Sequence, residues 1–370
     1  MRAEMSEKMN LELLQKLVSV PGVSGFERDV ANMVKNELEK YMDTVKIDRM
    51  GNVISKKAGT NPKAPIVMVV AHTDEVGLMV KYIENNGFLR FEKVGDLTDR
   101  QFPGLKVIVH TRNGLLPGVV GVGAAHLTGI GWGGVERLSS PPVRDQFIDI
   151  GASSREEAEE MGVSVGSPIA YSSDFTRLGD KFVCGKAFDD RVGLYIMIEA
   201  MRRLKGMKHE ATICAVGAVE EEPGCRGVRT AAFQLEPDAA IGLDGACAGD
   251  YPGMELRDAP IELGRGPAIK IMDVDVPHSG MISHSKIREL LINTAVKNKI
   301  PYQLEVFGKG VTSDVSYIQW TGSGIPSCVI SFPLRYAHSP FEVVNLDDLR
   351  NSVLLLTSSL ASLTSKFKLD

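Results

Sequence analysis

Apolar residues recur along this chain at two periods. Leu11, Leu13, Leu14, Leu17 and Val18 follow helical spacing, and Pro21-Gly22 closes that helix. Ser24-Gly25-Phe26-Glu27 reads as a capping box opening a second helix, whose stripe is Val30, Met33, Val34, Leu38 and Tyr41. Val45 to Ser55 reads as a hairpin turning near Gly51-Asn52. Residues 65–71 (PIVMVVA) are continuously apolar, which predicts a strand covered on both faces. From Gly77 to about Phe175 the texture changes: short β-like runs alternate with turn signals such as Asn85-Asn86-Gly87 and Pro117-Gly118, and only Ser153 to Met161 is helical, with Ser154 and Glu157 as a second capping-box pair. The stretch 121–140 reads as a flexible loop. The first texture then resumes with a helix after Asp189-Asp190-Arg191, a strand over 211–216, a helix over about 227–235 and a strand over 239–243 ending at Asp244. A helix after Ser283-His284, strands over 302–306 and 327–332, and a last helix over 346–363 capped by Asn345 complete the chain.

Strands alternating with helices predict an α/β fold whose mostly parallel sheet is covered by helices on both faces. The expected organisation is one α/β domain, 1–75 and 180–370, interrupted by a small β-rich insert, 76–179. The 370 residues suffice for a sizeable core. Composition narrows the partners. A net charge of −5 supplies no basic field for a phosphate backbone, and no apolar run approaches a membrane span, so neither nucleic acid nor membrane is expected. The N-terminal Met1 to Asn10 is charged and lacks the apolar core of a signal peptide. Five scattered cysteines without a CxxC pair argue against a disulfide framework or a thiolate metal site, and for a reducing cytoplasm.

The chemistry gathers where predicted strands end, because ligands of open α/β sheets bind beyond the carboxyl ends of the strands. Those ends carry His72 and Asp74, Asp189, Glu221 and Glu222, Asp244, and His338. Each residue alone has a bland reading: an acidic loop at Glu220-Glu221-Glu222, a helix cap at Asp189-Asp190, a turn at Asp244, a loop histidine at His338. Together, two histidines and several carboxylates suit a divalent ion such as Zn²⁺, Co²⁺ or Mn²⁺, and there are enough for two ions if one carboxylate bridges. His72 and Asp74, two apart on an extended chain, leave the same face, so Asp74 can fix the tautomer of His72. Glu221 and Glu222 point opposite ways if extended, so one can hold metal while the other reaches a water. The other histidines (His110, His126, His209, His278 and His284) read as structural or solvated.

These segments resemble a known family. His72-Thr73-Asp74-Glu75, Phe188-Asp189-Asp190-Arg191, Glu221-Glu222-Pro223-Gly224, Leu243-Asp244 and Tyr336-Ala337-His338-Ser339-Pro340, in this order, are similar to the M42 dinuclear metalloaminopeptidases, and the likeness covers nearly the whole chain. That resemblance implies that His72 and Asp244 hold one metal, Glu222 and His338 the other, and Asp189 bridges. It makes Glu221 the general base and Asp74 the orienting partner of His72. It implies two divalent ions per subunit, zinc or cobalt ahead of manganese. It further implies short peptides with a free N-terminus as substrates, a β-barrel or PDZ-like insert for dimerisation, and a homo-oligomer built from dimers up to a dodecamer. Two positions depart from the family pattern: Pro223 stands where a small aliphatic residue is expected, and Ser313 precedes Asp314 where Thr is commoner. The competing readings are a metal-dependent deacylase or amidase, a catalytically silent metal-binding scaffold, and a glycosidase. The last leaves both histidines idle.

Overall fold

The computed structural model describes residues 9–123, 141–275, 279–308 and 313–369. The expected loop 121–140, the N-terminal eight residues, His126, His278 and Thr312 therefore lie wholly or largely outside the described residues. A twelve-stranded sheet forms the frame. Its four middle strands, Thr212–Ala218, Ile66–His72, Ala239–Cys247 and Ser327–Arg335, run parallel in that spatial order. The flanks turn antiparallel, through Val53–Lys57 on one side and Glu342–Asn345 with Phe182–Gly185 on the other. Ala268–Asp275 adds an antiparallel branch on Ser327–Arg335.

The continuous apolar run of Ile66–His72 has a simple cause. Val67, Val69 and Ala71 pack into one core, and Met68 and Val70 into another on the opposite face. Alternating side chains thus meet helices on both faces. The helix Phe188–Leu204 is buried on nearly every side between the sheet and the helices Leu11–Ser19 and Leu346–Ser362. Its run Val192 to Met201 is apolar on every side except at Glu199, and so is enclosed in this way.

A second body interrupts the first. Gly77–Ile83, Leu89–Val94, Ile148–Asp149, Gly114–Val120, Lys106–Thr111 and Pro168–Tyr171 close into a six-stranded antiparallel barrel with its own core, including Phe91, Phe102 and Ile169. The strand Thr176–Leu178 already pairs with Phe182–Gly185 in the large sheet.

Some local expectations change in the fold. Ser24 and Glu27 do not close a capping box: Ser24 donates to Asp74 Oδ2 at 2.7 Å, and Glu27 Oε1 accepts from Gly25 N and Glu220 N. Both side chains are drawn to the site instead of the helix end. The strand expected to end at Asp244 runs on to Cys247, because residues 244–247 continue the parallel ladder opposite 331–334. The Ser154 cap and the Asn345 cap both form.

Candidate metal and catalytic site

The site lies at the carboxyl ends of the parallel strands, facing the barrel. A cleft of about 850 Å³ is lined by His72, Asp189, Glu221, Glu222, Asp244 and His338 from the large domain, and by Asp96 to Gln101 from the barrel side, Leu97 and Asp99 excepted. All the predicted site residues except Asp74 line it. Asp74 is fully buried behind.

Asp74 organises the others. Its Oδ1 accepts from Glu221 N at 3.0 Å, its Oδ2 from Glu222 N at 3.1 Å, and Oδ1 stands 3.3 Å from His72 Nδ1. One carboxylate thereby fixes the Glu221-Glu222 backbone and one ring of the site. The loop it holds begins at Glu220, whose φ of 54° is left-handed, and turns tightly, with Gly224 and Cys225 N–H groups both donating to Glu221 O. This turn, not strand alternation, separates the two glutamates. Glu222 Oε2 reaches His338 Nε2 at 3.4 Å, while Glu221 Oε1 accepts from the Cys225 thiol at 3.2 Å. Gly227 ends the motif for a steric reason: a Cβ there would sit 2.3 Å from Asn52 Oδ1 and 2.5 Å from Val219 O.

Asp189 occupies the middle. Its Oδ1 lies 3.1 Å from His72 Nε2, and its Oδ2 lies 3.6 Å from His338 Nε2. Asp189 also comes within metal-sharing distance of two groups, one with His72 and Glu222, the other with Asp190 and Asp244. Its neighbour Asp190 is the residue that caps the helix, accepting from Gly193 N while its other oxygen accepts from His72 N. Thus the bland reading holds for Asp190 and fails for Asp189.

The histidine tautomers expose the problem this site must solve. His338 Nδ1 lies 2.8 Å from Asp96 O, a carbonyl that can only accept, so Nδ1 carries a proton. In the neutral ring the lone pair of Nε2 then faces the oxygens of Asp189 and Glu222. Lone pair against carboxylate is repulsive unless a proton or a cation lies between. Glu222 Oε1 is buried with no hydrogen-bond partner among the described residues, which leaves another oxygen's electron pairs uncommitted. Two imidazoles and several carboxylates with uncommitted electron pairs fit divalent cations.

The protonation pattern follows the same crowding. Burial pushes the Glu221 carboxyl well up, with repulsion from Asp244, Asp314 and Glu222 adding to it against the pull of His72. Burial and then Asp189 push Glu222 up likewise, His72 again opposing. Burial and Asp189 raise Asp244 to about 7. Burial acts against the charged form of His72, yet its contacts with Asp189 and Asp74 prevail and raise it well above the usual range. Asp74, despite burial, is held low by His72, Ser24 and the Glu221 N–H.

Three participants received no role from the sequence. Glu342 accepts from His338 N at 2.8 Å and Asp189 N at 3.1 Å, and burial and Asp189 raise its pKa to about 8. Its spacing of four from His338 was the only signal. Cys225 and Asp314 group with Glu221, all three buried, and both oxygens of Asp314 lack hydrogen-bond partners among the described residues.

The family model for the M42 glutamyl aminopeptidases matches residues 51–355. The chain belongs to the M42 peptidase family. An M42-type likeness extends over full-length relatives: the lysyl aminopeptidase of Pyrococcus furiosus is 37% identical over 353 residues, covering 95% of this chain and 97% of that one. Among solved structures, an aminopeptidase from the archaeon Desulfurococcus kamchatkensis superposes with a TM-score of 0.90 at 38% identity, covering 96% of this chain and 95% of its own. The TET1 peptidase of Pyrococcus horikoshii, which can assemble into a tetrahedron or a large octahedral shell, matches with a TM-score of 0.84 at 31% identity, over 95% of this chain and 99% of its own. M42 membership makes this chain a peptidase hydrolase. Among the described residues no helix is long and apolar enough to cross a membrane.

Proposed function

We propose that the cleft removes the N-terminal residue of short peptides with the help of two divalent cations, zinc or cobalt ahead of manganese. His72 and Asp244 would hold one cation, Glu222 and His338 the other, and Asp189 both. Bound there, the pair would lower the pKa of the attacking water and polarise the scissile carbonyl. The observation that carries this reading is the Nε2 lone pair of His338 aimed at two carboxylates, with its other nitrogen committed to Asp96 O.

Glu221 is the base. Its Oε1 is occupied by the Cys225 thiol, leaving Oε2 to accept the water's proton and return it to the leaving amine. Asp74 acts as a positioning residue, holding the backbone N–H groups of both glutamates and facing His72 Nδ1. The barrel within 76–179 is proposed as the dimerisation domain of a homo-oligomer, which the assembly of the TET1 relative supports. The five unpaired cysteines support a cytoplasmic setting.

The test compares chelator-treated protein with protein reloaded with Zn²⁺ or Co²⁺, on aminoacyl anilides of Leu, Glu, Asp and Lys and their N-acetylated forms. Metal-dependent cleavage restricted to free-amine substrates is expected. Equal cleavage of acetylated substrates would turn the assignment to an amidase or deacylase, and no cleavage by metal-replete protein to a silent scaffold.

A further inference from the structure

The cleft is strongly one-sided in charge. Among the described residues its lining includes five carboxylates, from Asp96, Asp189, Glu221, Glu222 and Asp244, and a single arginine or lysine, Arg100. The other hydrogen-bonding side chains of the turn Asp99–Gln101 are already committed. Asp99 Oδ1 accepts from Lys93 Nζ at 2.9 Å and Oδ2 from Val143 N at 3.0 Å, and its backbone carbonyl accepts from Gln146 Nε2. Gln101 Nε2 donates to Tyr171 Oη at 2.8 Å and to His338 O at 3.0 Å. The turn is therefore pinned both to the barrel and to the loop that carries His338. Arg100, on this fixed mount, is exposed to the cleft and has no hydrogen bond or ion pair among the described residues.

A guanidinium offers five donors in a planar fork matched to a carboxylate. The metal side of the cleft can receive the ammonium end and the scissile carbonyl of a peptide, and its carboxylates Asp189, Glu221, Glu222 and Asp244 contrast with the guanidinium on the barrel side. We propose that Arg100 is a carboxylate-binding subsite that selects substrates bearing an anionic group on the barrel side of the cleft. This rests on the peptidase reading above. The carboxylate has two sources, the C-terminus of a short peptide or an acidic side chain of the first residue, and both present the same planar anion.

The test pairs each source with its neutral counterpart: Leu-Gly-Gly against Leu-Gly-Gly-amide, and Glu-anilide against Gln-anilide. Arg100→Leu is expected to lower kcat/KM by about tenfold on the charged member of one pair, chiefly through KM, because one charge-assisted interaction is lost. The neutral member should change by less than about twofold, and Arg100→Lys should recover part of the loss, since the charge returns without the fork. The pair that responds names the source. Equal loss on charged and neutral members, or no loss on either pair, would overturn the inference while metal-dependent hydrolysis by the unaltered protein left the peptidase reading standing. Equilibrium binding of Leu-Gly-Gly and its amide to the Glu221→Gln protein reads the same contact without turnover. If Arg100→Leu in that background leaves the two affinities in their original ratio, a C-terminal carboxylate at Arg100 is refuted even if hydrolysis is never detected.

Discussion

Replacing Asp74 with Asn isolates the residue that ties the site together while leaving every proposed metal ligand in place. Asp74 is fully buried and serves three donors, Glu221 N, Glu222 N and Ser24 Oγ, besides facing His72 Nδ1. An asparagine keeps the shape but turns one oxygen into an amino group. If that group replaces Oδ2 it confronts Glu222 N–H, and if it replaces Oδ1 it confronts Glu221 N–H and His72. Ser24 can rotate to accept, but a backbone N–H cannot. One buried donor is orphaned in either orientation, at a cost of about 1–3 kcal/mol, and the surviving bonds lose their charge assistance. The metal-free protein should therefore lose roughly 2–4 kcal/mol in urea denaturation. The displaced Glu222 backbone and the loosened His72 ring should also weaken zinc by about 10–100-fold in competition with a chelator of known affinity. Measuring the metal-free protein first separates the two effects. A variant within about 0.5 kcal/mol of the original that also keeps its zinc affinity would refute the positioning role, since surface substitutions alone fall in that range.

Glu221→Gln should retain both metals by elemental analysis yet lose turnover by about 10²–10⁴-fold, because it removes a proton acceptor and no proposed ligand; near-normal turnover would move the base elsewhere. The metal-free protein should also become less stable as pH rises. Asp244, Asp314 and Glu342 have folded pKa values raised to about 7, about 8 and about 8, chiefly by burial and then mainly by neighbouring carboxylates. These groups are protonated in the fold where the unfolded chain is ionised, so the fold binds more protons and stability falls from about pH 4 to about pH 8, by up to about 1.4 kcal/mol per pH unit for each group. His72 and His338, both raised in the fold, contribute stability that is likewise lost as pH rises through their folded values. Urea titrations from pH 5 to pH 9 in chelator should show this decline, and zinc should flatten it, since a cation favours the ionised carboxylates. A metal-free protein equally stable at pH 5 and pH 8 would contradict the crowding described.

What the sequence disclosed and what it withheld divide along a physical line. Residues 65–71 announced a strand covered on both faces because burial leaves its imprint on every position, and Val67 and Met68 do pack into opposite cores. The residues proposed to meet metal were visible because imidazole and carboxylate are rare together at strand ends. What escaped was the set of contacts made by ordinary groups at long range. Asp96 enters through a backbone carbonyl, which any residue would supply, and yet that carbonyl decides which nitrogen of His338 is free. Ser24 and Glu27 looked like a local cap because local partners are all that a sequence window contains. In the fold Asp74, fifty residues from Ser24, competes for that hydroxyl and wins because a buried carboxylate needs donors more than an accessible helix end does. The turn at Glu220 escaped for a related reason. Its left-handed backbone is held by Glu27 from outside and by Glu221 O from within, neither of which follows from the Glu-Glu pair itself. The proposed ligands are thus chosen from local signals, while their orientation is distributed over the N-terminal segment, the barrel and the C-terminal loop. Substitutions outside the proposed ligand set, at Ser24 or Gln101, should accordingly act on the geometry of the site without removing a proposed ligand.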